Sequence, residues 1–497
     1  MRECAVNLVL VSAALFAWLL GGQADEITFR DLEVFTVALA VILTLQVLLL
    51  YLLNKLVGIF APRRKEWVLF VAATVLLASN AYFLAFYPME QTTAFRIACA
   101  VVAGAAFLIL MVFPKTRRVL MIFAGIMLAM SMIQYGYTRA TFGEKDVTAE
   151  TVSLPIKSKR NVYIIGTESL QSPNAYRENY GIENAENAEH VKVLQDAGFR
   201  VLNAFSADRQ TLRSHGGIAE FVRPLGQTDL GFRGAFMNDN STFRSFRDSG
   251  YGIQFIYNTN YFTVNRNHVD YVFPPVSFEA CENMEDWFFY GLCHKSVVKY
   301  INRRLLKLPN ISVQDNIKKL RERAEFAATS SRPWLTWTHV HFPHHTWHYY
   351  KYPDPQYMAQ FKWRVRDDLP EVAENMRNAP AYIAAKDPGA VIAVFGDHGT
   401  HLFRGITKDQ VFTSKPLVPL DKVLLDQNGV MLAIYPADFC TNRISEGFST
   451  KALIENIIAC LNGDDSPTEE ERKRARTIRF LDEERNLDEL QAKTVAQ

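Results

Sequence analysis

Two apolar runs in this chain stop at residues that could hold a cation. Asn161-Val-Tyr-Ile-Ile-Gly166 gives way to Thr167-Glu168-Ser169, which leaves a carboxylate where the run ends. Ala390-Val-Ile-Ala-Val-Phe395 gives way to Gly396-Asp397-His398-Gly399, an oxygen donor and an imidazole nitrogen side by side. Carboxylate together with imidazole suits zinc or manganese better than calcium or magnesium. Each group alone has a plainer explanation, because an acid after a strand commonly caps a helix and Asp-His-Gly is a common turn. Both together, in this order along the chain, make a more specific pattern. A third concentration is Thr338-His-Val-His-Phe-Pro-His-His-Thr-Trp-His348, where five of the 11 histidines fall within ten positions. Imidazoles so dense beside a strand end point to phosphate or metal contacts, with a surface histidine cluster as the plain alternative.

The elements that must position these groups are short β-rich runs alternating with helical stretches. Residues 252–257 and 334–338 read as strands, as do 161–166 and 390–395. The alternation predicts an α/β domain whose mainly parallel sheet is covered by helices on both faces. In open sheets of this kind ligands bind beyond the carboxyl ends of the strands, where Glu168, Asp397 and His398 stand. The domain is expected to span about 161–463. Residues 139–160 are polar, carry Gly143 and Pro155 and lack periodicity, so they read as a linker, one that could lie along a membrane surface. Residues 464–497 are densely charged and read as a solvated helix or a partly disordered tail without chemistry.

Residues 1–138 belong to a different solvent. Five apolar stretches of roughly spanning length occur near 4–20, 34–60, 67–87, 95–113 and 119–135, where about 20 residues suffice to cross hydrocarbon. Buried core helices are the alternative, but several long and nearly uncharged segments in succession are hard to enclose in one soluble core. Arg63, Arg64 and Lys65 share one loop and Lys115, Arg117 and Arg118 another, which the positive-inside rule keeps cytoplasmic. Asp25, Glu26, Asp31, Glu33 and Glu90 fall in the alternate loops, so everything after Tyr135 is expected on the outer face. Residues 1–24 also fit a cleavable signal peptide; an uncleaved helix is the preferred reading, and either leaves the remaining orientation unchanged. Whole-chain averages hide this division: 49% hydrophobic, 21% charged and a net charge of +2 over 497 residues would suit an ordinary soluble protein, and they lack the basic excess of a nucleic-acid binder. Four of the six cysteines lie in the outer part. An oxidising periplasm would pair Cys281 with Cys293 and Cys440 with Cys460, against the alternative of four free core thiols.

The strings Asn161-Val-Tyr-Ile-Ile-Gly-Thr-Glu-Ser169 and Val394-Phe-Gly-Asp-His-Gly399 resemble the sulfatase-like branch of the alkaline phosphatase superfamily. Within it, a five-helix anchor followed by an outer catalytic domain is similar to the lipoteichoic acid synthases and the lipid A phosphoethanolamine transferases. The resemblance implies a nucleophilic threonine a few tens of residues after the first metal carboxylate, at the start of a helix facing the metal. Asp208-Arg-Gln-Thr-Leu-Arg-Ser214 occupies that place, and Thr211, 43 positions after Glu168, is the expected nucleophile, with Ser206 and Ser214 as competitors. A helix N-cap there is compatible with catalysis, because a hydroxyl at a positive helix end suits an incoming phosphate. The implied metal set is Glu168, Thr211, Asp397 and His398 around one divalent ion, zinc or manganese. Arg213, in a Thr-x-Arg pattern similar to that of some phosphoglycerol-transferring members, is expected near the phosphate. His341-Phe-Pro resembles the substrate-binding histidine motif of the lipoteichoic acid branch, while His345 followed by Tyr349-Tyr-Lys351 resembles the corresponding stretch of the phosphoethanolamine branch. At least one of the two should hydrogen-bond the phosphate or protonate the leaving alkoxide. His401 is a further expected member of the site, and Thr400 stands where the family usually has an acid.

What the resemblance implies is a bacterial inner-membrane transferase with its catalytic domain in the periplasm. It would move phosphoethanolamine or phosphoglycerol from a phospholipid donor, through phosphothreonine, to an envelope glycan or glycolipid acceptor. Two other classes compete. One is a membrane-anchored sulfatase or phosphodiesterase-type hydrolase; the sulfatase would need, for its formylglycine, a Cys or Ser in a Cys/Ser-x-Pro/Ala-x-Arg context, which is missing near positions 200–215. A non-catalytic envelope scaffold would have no reason to keep Glu168, Thr211, Asp397 and His398 together.

Overall fold

The computed structural model describes residues 29–65, 152–206, 208–221, 240–257, 268–273, 311–343, 355–400, 402–403, 417–475, 477–481 and 487–491, with a few single positions between 68 and 133. The chain divides into two units, Met1–Asp146 with Phe278–Pro309 and Val147–Ser277 with Asn310–Gln497.

In the first unit, helix α1 (Phe29–Phe60) contains the second of the five predicted spans. Its segment Leu43–Phe60 has a mean hydropathy of 1.8 and is long and apolar enough to cross a membrane. Leu45, Leu48, Leu49, Leu52, Leu56, Ile59 and Phe60 are exposed, a continuous apolar surface that water would not favour. The helix gives way to a 3-10 turn, Pro62–Arg64, because proline cannot supply the next backbone N–H. The other four predicted spans lie wholly or mostly outside the described residues, as does any leader peptide.

The second unit is built on strands β1 (Val162–Thr167), β2 (Arg200–Phe205), β3 (Gly252–Tyr257), β4 (Tyr271–Phe273), β5 (Trp334–Val340), β6 (Val391–Gly396), β7 (Gly429–Tyr435) and β8 (Phe448–Ser449). They form one sheet in the order β4-β3-β5-β1-β6-β7-β2-β8. Every pairing is parallel except those of β7, which runs against both β6 and β2. The sheet is therefore mainly parallel, as predicted, but mixed. The four runs read from the sequence are its adjacent strands β3, β5, β1 and β6.

Helices α2 (Pro173–Tyr180), α3 (Glu189–Asp196), α4 (Thr211–Ala219), α5 (Ser241–Asp248), α6 (Val313–Thr329), α7 (Pro355–Met376), α8 (Tyr382–Lys386), α9 (Leu420–Asn428) and α10 (Leu453–Leu461) accompany the sheet. Strand alternation splits the core in two. Val162, Ile164, Leu335, Trp337, Val391, Ala393 and Phe395 pack against α4, α5 and α10. Tyr163, Ile165, Ile392 and Val394 pack against α3, α6 and α7 on the other face. Burial on both faces is why the central strands read as unbroken apolar runs.

Of the stretch read as a linker, residues 152–160 are described, and their first part runs along α5. Backbone N–H groups of Val152, Leu154 and Ile156 donate to the hydroxyls of Ser241, Ser245 and Ser249 at 3.3, 2.9 and 2.8 Å. Two extended residues advance about 6.6 Å and four helical ones about 6 Å, so an extended segment and a serine at every fourth position of α5 stay in step. The charged tail departs from expectation: after a short helix, Glu469–Arg474, it forms an antiparallel pair, β9 (Thr477–Leu481) and β10 (Leu487–Gln491). Cys440 and Cys460 are joined, with Cys460 in the last turn of α10. Cys281 and Cys293 lie outside the described residues.

Candidate metal centre

Strand register brings the site together. Thr167 of β1 pairs with Gly396 of β6 and with Val340 of β5, so Glu168, Asp397 and His341 leave three adjacent strands at one level. Two backbone bonds extend the ladder by a step, Glu168 N–H to Val340 O at 3.1 Å and Asp397 N–H to Thr167 O at 3.0 Å. Alternation sets the side chains in phase with the core beneath them: His339 and His341 follow Leu335 and Trp337, Asp397 follows Ala393 and Phe395, and Glu168 follows Val162 and Ile164. All of these point to the face covered by α4.

Helix α4 supplies Thr211 as its first residue, after an extended Gln210 with φ −124 and ψ 135. Thr211 Oγ1 is 3.3 Å from Glu168 Oε2 and 3.1 Å from His398 Nε2, and the side chain is buried. The unbonded amides of the first helical turn lend this end a positive potential. His398 places its Nδ1 2.6 Å from the carbonyl oxygen of Gly399, which can only accept, so Nδ1 carries a proton. In the neutral ring Nε2 then presents a lone pair, 3.4 Å from Glu168 Oε1. Asp397 is oriented through Oδ1, which accepts from the N–H groups of Ser169 at 3.0 Å and His398 at 2.8 Å. Ser169 has φ 54, and this left-handed turn aims its amide at the carboxylate. Asp397 Oδ2 takes no hydrogen bond among the described residues and stands 3.4 Å from His339 Nε2.

Ligand atoms of Glu168, Asp397 and His398 all lie within 4.8 Å of one another. Both carboxylates are fully buried, an arrangement that is strongly unfavourable without opposing charge. Two carboxylates, an imidazole Nε2 and a hydroxyl fit zinc or manganese, and the untied Oδ2 of Asp397 is the atom such an ion would use. Among the protein's own groups the histidines answer this charge. Burial works against a charged His398, but Asp397 and Glu168 beside it raise its pKa to about 10. His339 is raised in spite of burial by the same two carboxylates. Burial alone would raise the Asp397 carboxyl, yet His398 and His339 hold it below the usual carboxylate range.

The structure thus gathers Glu168, Thr211, Asp397 and His398 in one cluster. His341, a quarter exposed at the mouth, has its Nε2 3.8 Å from Glu168 Oε2. Arg213 is buried two residues after Thr211, about 200° further around the helix, so it starts from a different face of α4. His345 and His401 lie outside the described residues. Of the competing hydroxyls, Ser206 donates to the backbone oxygen of Asp208 at 2.7 Å and Ser214 is buried in α4. Two histidines belong to the cluster that sequence reasoning did not single out. His339 Nε2 is 3.4 Å from both Glu168 Oε2 and Asp397 Oδ2. His215 lies one turn after Thr211 on the same face of α4, and one of its nitrogens is within 4.8 Å of ligand atoms of His339 and Asp397. The signals were there: His-x-His at a strand end puts both rings on one face, and position i+4 of a helix shares the face of i.

No family model and no curated protein matches the chain. Among solved structures it is similar to the C-terminal periplasmic domain of EptC from Escherichia coli in complex with zinc, at 12% identity over 61% of this chain and 84% of that one, TM-score 0.36. It is similar to the C-terminal periplasmic domain of phosphoethanolamine transferase EptC from Campylobacter jejuni, at 11% identity over 63% and 93%, TM-score 0.36. A protein in the alkaline phosphatase superfamily from Vibrio parahaemolyticus is similar at 14% identity over 69% and 81%, TM-score 0.39. At such identities and scores, the chemistry of the site has to stand on its own residues.

Proposed function

We propose that this chain is a metal-dependent phosphotransferase of a membrane surface. It moves a phospholipid-derived headgroup, phosphoethanolamine or phosphoglycerol, onto Thr211 and then onto an envelope glycan or glycolipid. One observation carries the reading: the Thr211 hydroxyl sits at a helix N-terminus within 3.3 Å of Glu168 and 3.1 Å of His398, inside the group suited to hold a cation. A serine or threonine hydroxyl is a weak nucleophile at its ordinary pKa and needs such surroundings. A divalent cation held by Glu168, Asp397 and His398 would supply the charge that favours the threonine alkoxide and polarises a phosphoryl oxygen.

Glu168 Oε2, which already accepts a hydrogen bond from Oγ1, can take its proton, while His398 Nε2, whose lone pair would be turned to the cation, only orients the hydroxyl. Oγ1 attacks phosphorus, a new P–O bond forms, and the bond from phosphorus to the diacylglycerol oxygen breaks. His341, at the mouth, is placed to give the departing oxygen its proton and to take one back from the acceptor hydroxyl. That hydroxyl then attacks the phosphorus, the bond to Oγ1 breaks, and Glu168 returns the proton to Oγ1, restoring Thr211 in a ping-pong cycle. Tethering through α1 keeps the domain at the bilayer to which the donor is confined, raising its effective concentration. Placement in a bacterial inner membrane with the domain in the periplasm belongs to the same proposal and is supported by the apolar α1.

Intact mass spectrometry of the full-length protein after exposure to phospholipid vesicles tests this reading. An adduct of headgroup mass on the wild type that vanishes in Thr211→Ala is the expected result, and its mass names the headgroup. Lack of an adduct, with transfer unchanged in both Thr211→Ala and Asp397→Asn, would overturn it.

A further inference from the structure

The loop that carries Asp397 and His398 is fastened from outside the site. Gly399 N–H donates to Gln427 O at 2.8 Å and Thr400 N–H to Asp426 O at 3.1 Å, so the loop lies against the end of α9. Contact is backbone to backbone: a Cβ on Gly399 would fall 1.7 Å from Asp426 O. The Asp426 side chain, fully buried, completes the knot. Its Oδ1 accepts from Leu402 N–H at 2.9 Å, Thr400 Oγ1 at 3.1 Å and Tyr180 OH at 3.3 Å, and its Oδ2 accepts from Phe403 N–H at 2.9 Å. Gln171 Nε2 donates to Thr400 Oγ1 at 3.2 Å and to Asp426 O at 3.0 Å. All four donors to this carboxylate are uncharged. A buried anion held this way is tolerable only while every donor stays in place, so the network ties Gly399, Thr400, Leu402 and Phe403 to one geometry.

We propose that Asp426 is the positioning residue of the candidate metal centre, clamping Gly399, Thr400, Leu402 and Phe403 on α9 and so fixing Asp397 and His398 where they can share one cation. The proposal rests on the reading of Asp397 and His398 as ligands, but not on Thr211 as nucleophile. Both oxygens of Asp426 accept a backbone N–H, so an asparagine would turn its NH2 toward an N–H in either orientation and open the clamp. Outer groups that orient ligands typically cost 10–100-fold in metal affinity when lost, and roughly that loss is expected for Asp426→Asn.

The test is zinc affinity by competition with a chromophoric chelator, and the visible spectrum of the cobalt-loaded form, on the full-length protein in detergent without lipid. Asp426→Asn should bind zinc more weakly and shift the cobalt bands, and Asp426→Glu, which keeps the acceptors, should recover part of both. A cooperatively folded Asp426→Asn with wild-type zinc affinity and cobalt spectrum overturns the clamp. Should that variant not fold, Thr400→Val decides in its place, because it removes one donor and leaves the carboxylate; weaker zinc binding supports the clamp and unchanged binding overturns it. A wild type that binds no zinc would instead sink the ligand assignment itself, a result distinct from either.

Discussion

At the scale of single residues, the site sorts by how each group is held. Trp337 Nε1–H donates to His215 Nδ1 at 3.2 Å, so His215 must keep its proton on Nε2, and burial presses its pKa down to about 3. It is an uncharged N–H group in the floor of the site, whereas His339 sits between two carboxylates. Replacing His339 with alanine should therefore weaken zinc binding by roughly 10–100-fold, as read by chelator competition. Thr211→Ala should lower headgroup transfer by on the order of a thousand-fold or more, while Thr211→Ser, which keeps a hydroxyl, retains measurable adduct formation. Glu168, Asp397 and His398 were legible because each ends an apolar run. His339 was not, because it lies inside a strand and reads as one more histidine of a dense cluster.

At the scale of elements, close packing under the sheet is the controlling fact. A Cβ added at Gly166 would lie 2.3 Å from His215 Cε1, so β1 and α4 approach only because that position is glycine. Gly166→Ala should cost about 1–3 kcal/mol and displace His215, lowering the thermal midpoint and transfer together. Helix α3 carries a different liability. His190 is buried edge-on to Tyr176 at 5.9 Å, its ring nitrogens have no hydrogen-bond partner among the described residues, and burial lowers its pKa to about 4. A histidine whose folded pKa is depressed contributes stability above its unfolded pKa of about 6.5, and that contribution is lost as pH falls through the folded value. His190→Phe should flatten the decline between about pH 6.5 and about pH 4, worth on the order of 3 kcal/mol; thermal midpoints across that range check it. Strands β1, β3, β5 and β6 were readable as runs, but β2 and β7 were not, and with β7 goes the antiparallel step that makes the sheet mixed.

At the scale of the whole molecule, two features bear on how the chain persists in its surroundings. The Cys440 to Cys460 bridge closes a 20-residue separation that contains α10 up to its last turn. In the chain-entropy account a loop of that size stabilises by about 3 kcal/mol, so Cys440→Ser with Cys460→Ser should lower the thermal midpoint, and a reductant should do the same to the wild type alone. The apolar length of α1 and the division into an N-terminal apolar part and a charged remainder were fixed by composition, because crossing hydrocarbon needs only a local run of about 20 apolar residues. The α/β class and the ends of two strands were likewise local, carried by periodicity and by where apolar runs stop. Parallel strand order and register are set by packing on both faces over separations of hundreds of residues, and no local pattern encodes them. Only the tertiary structure decided that Glu168 and Asp397 leave adjacent strands at one level, that α4 delivers Thr211 to them, and that the backbone at the end of α9 receives Gly399 and Thr400 just after the site.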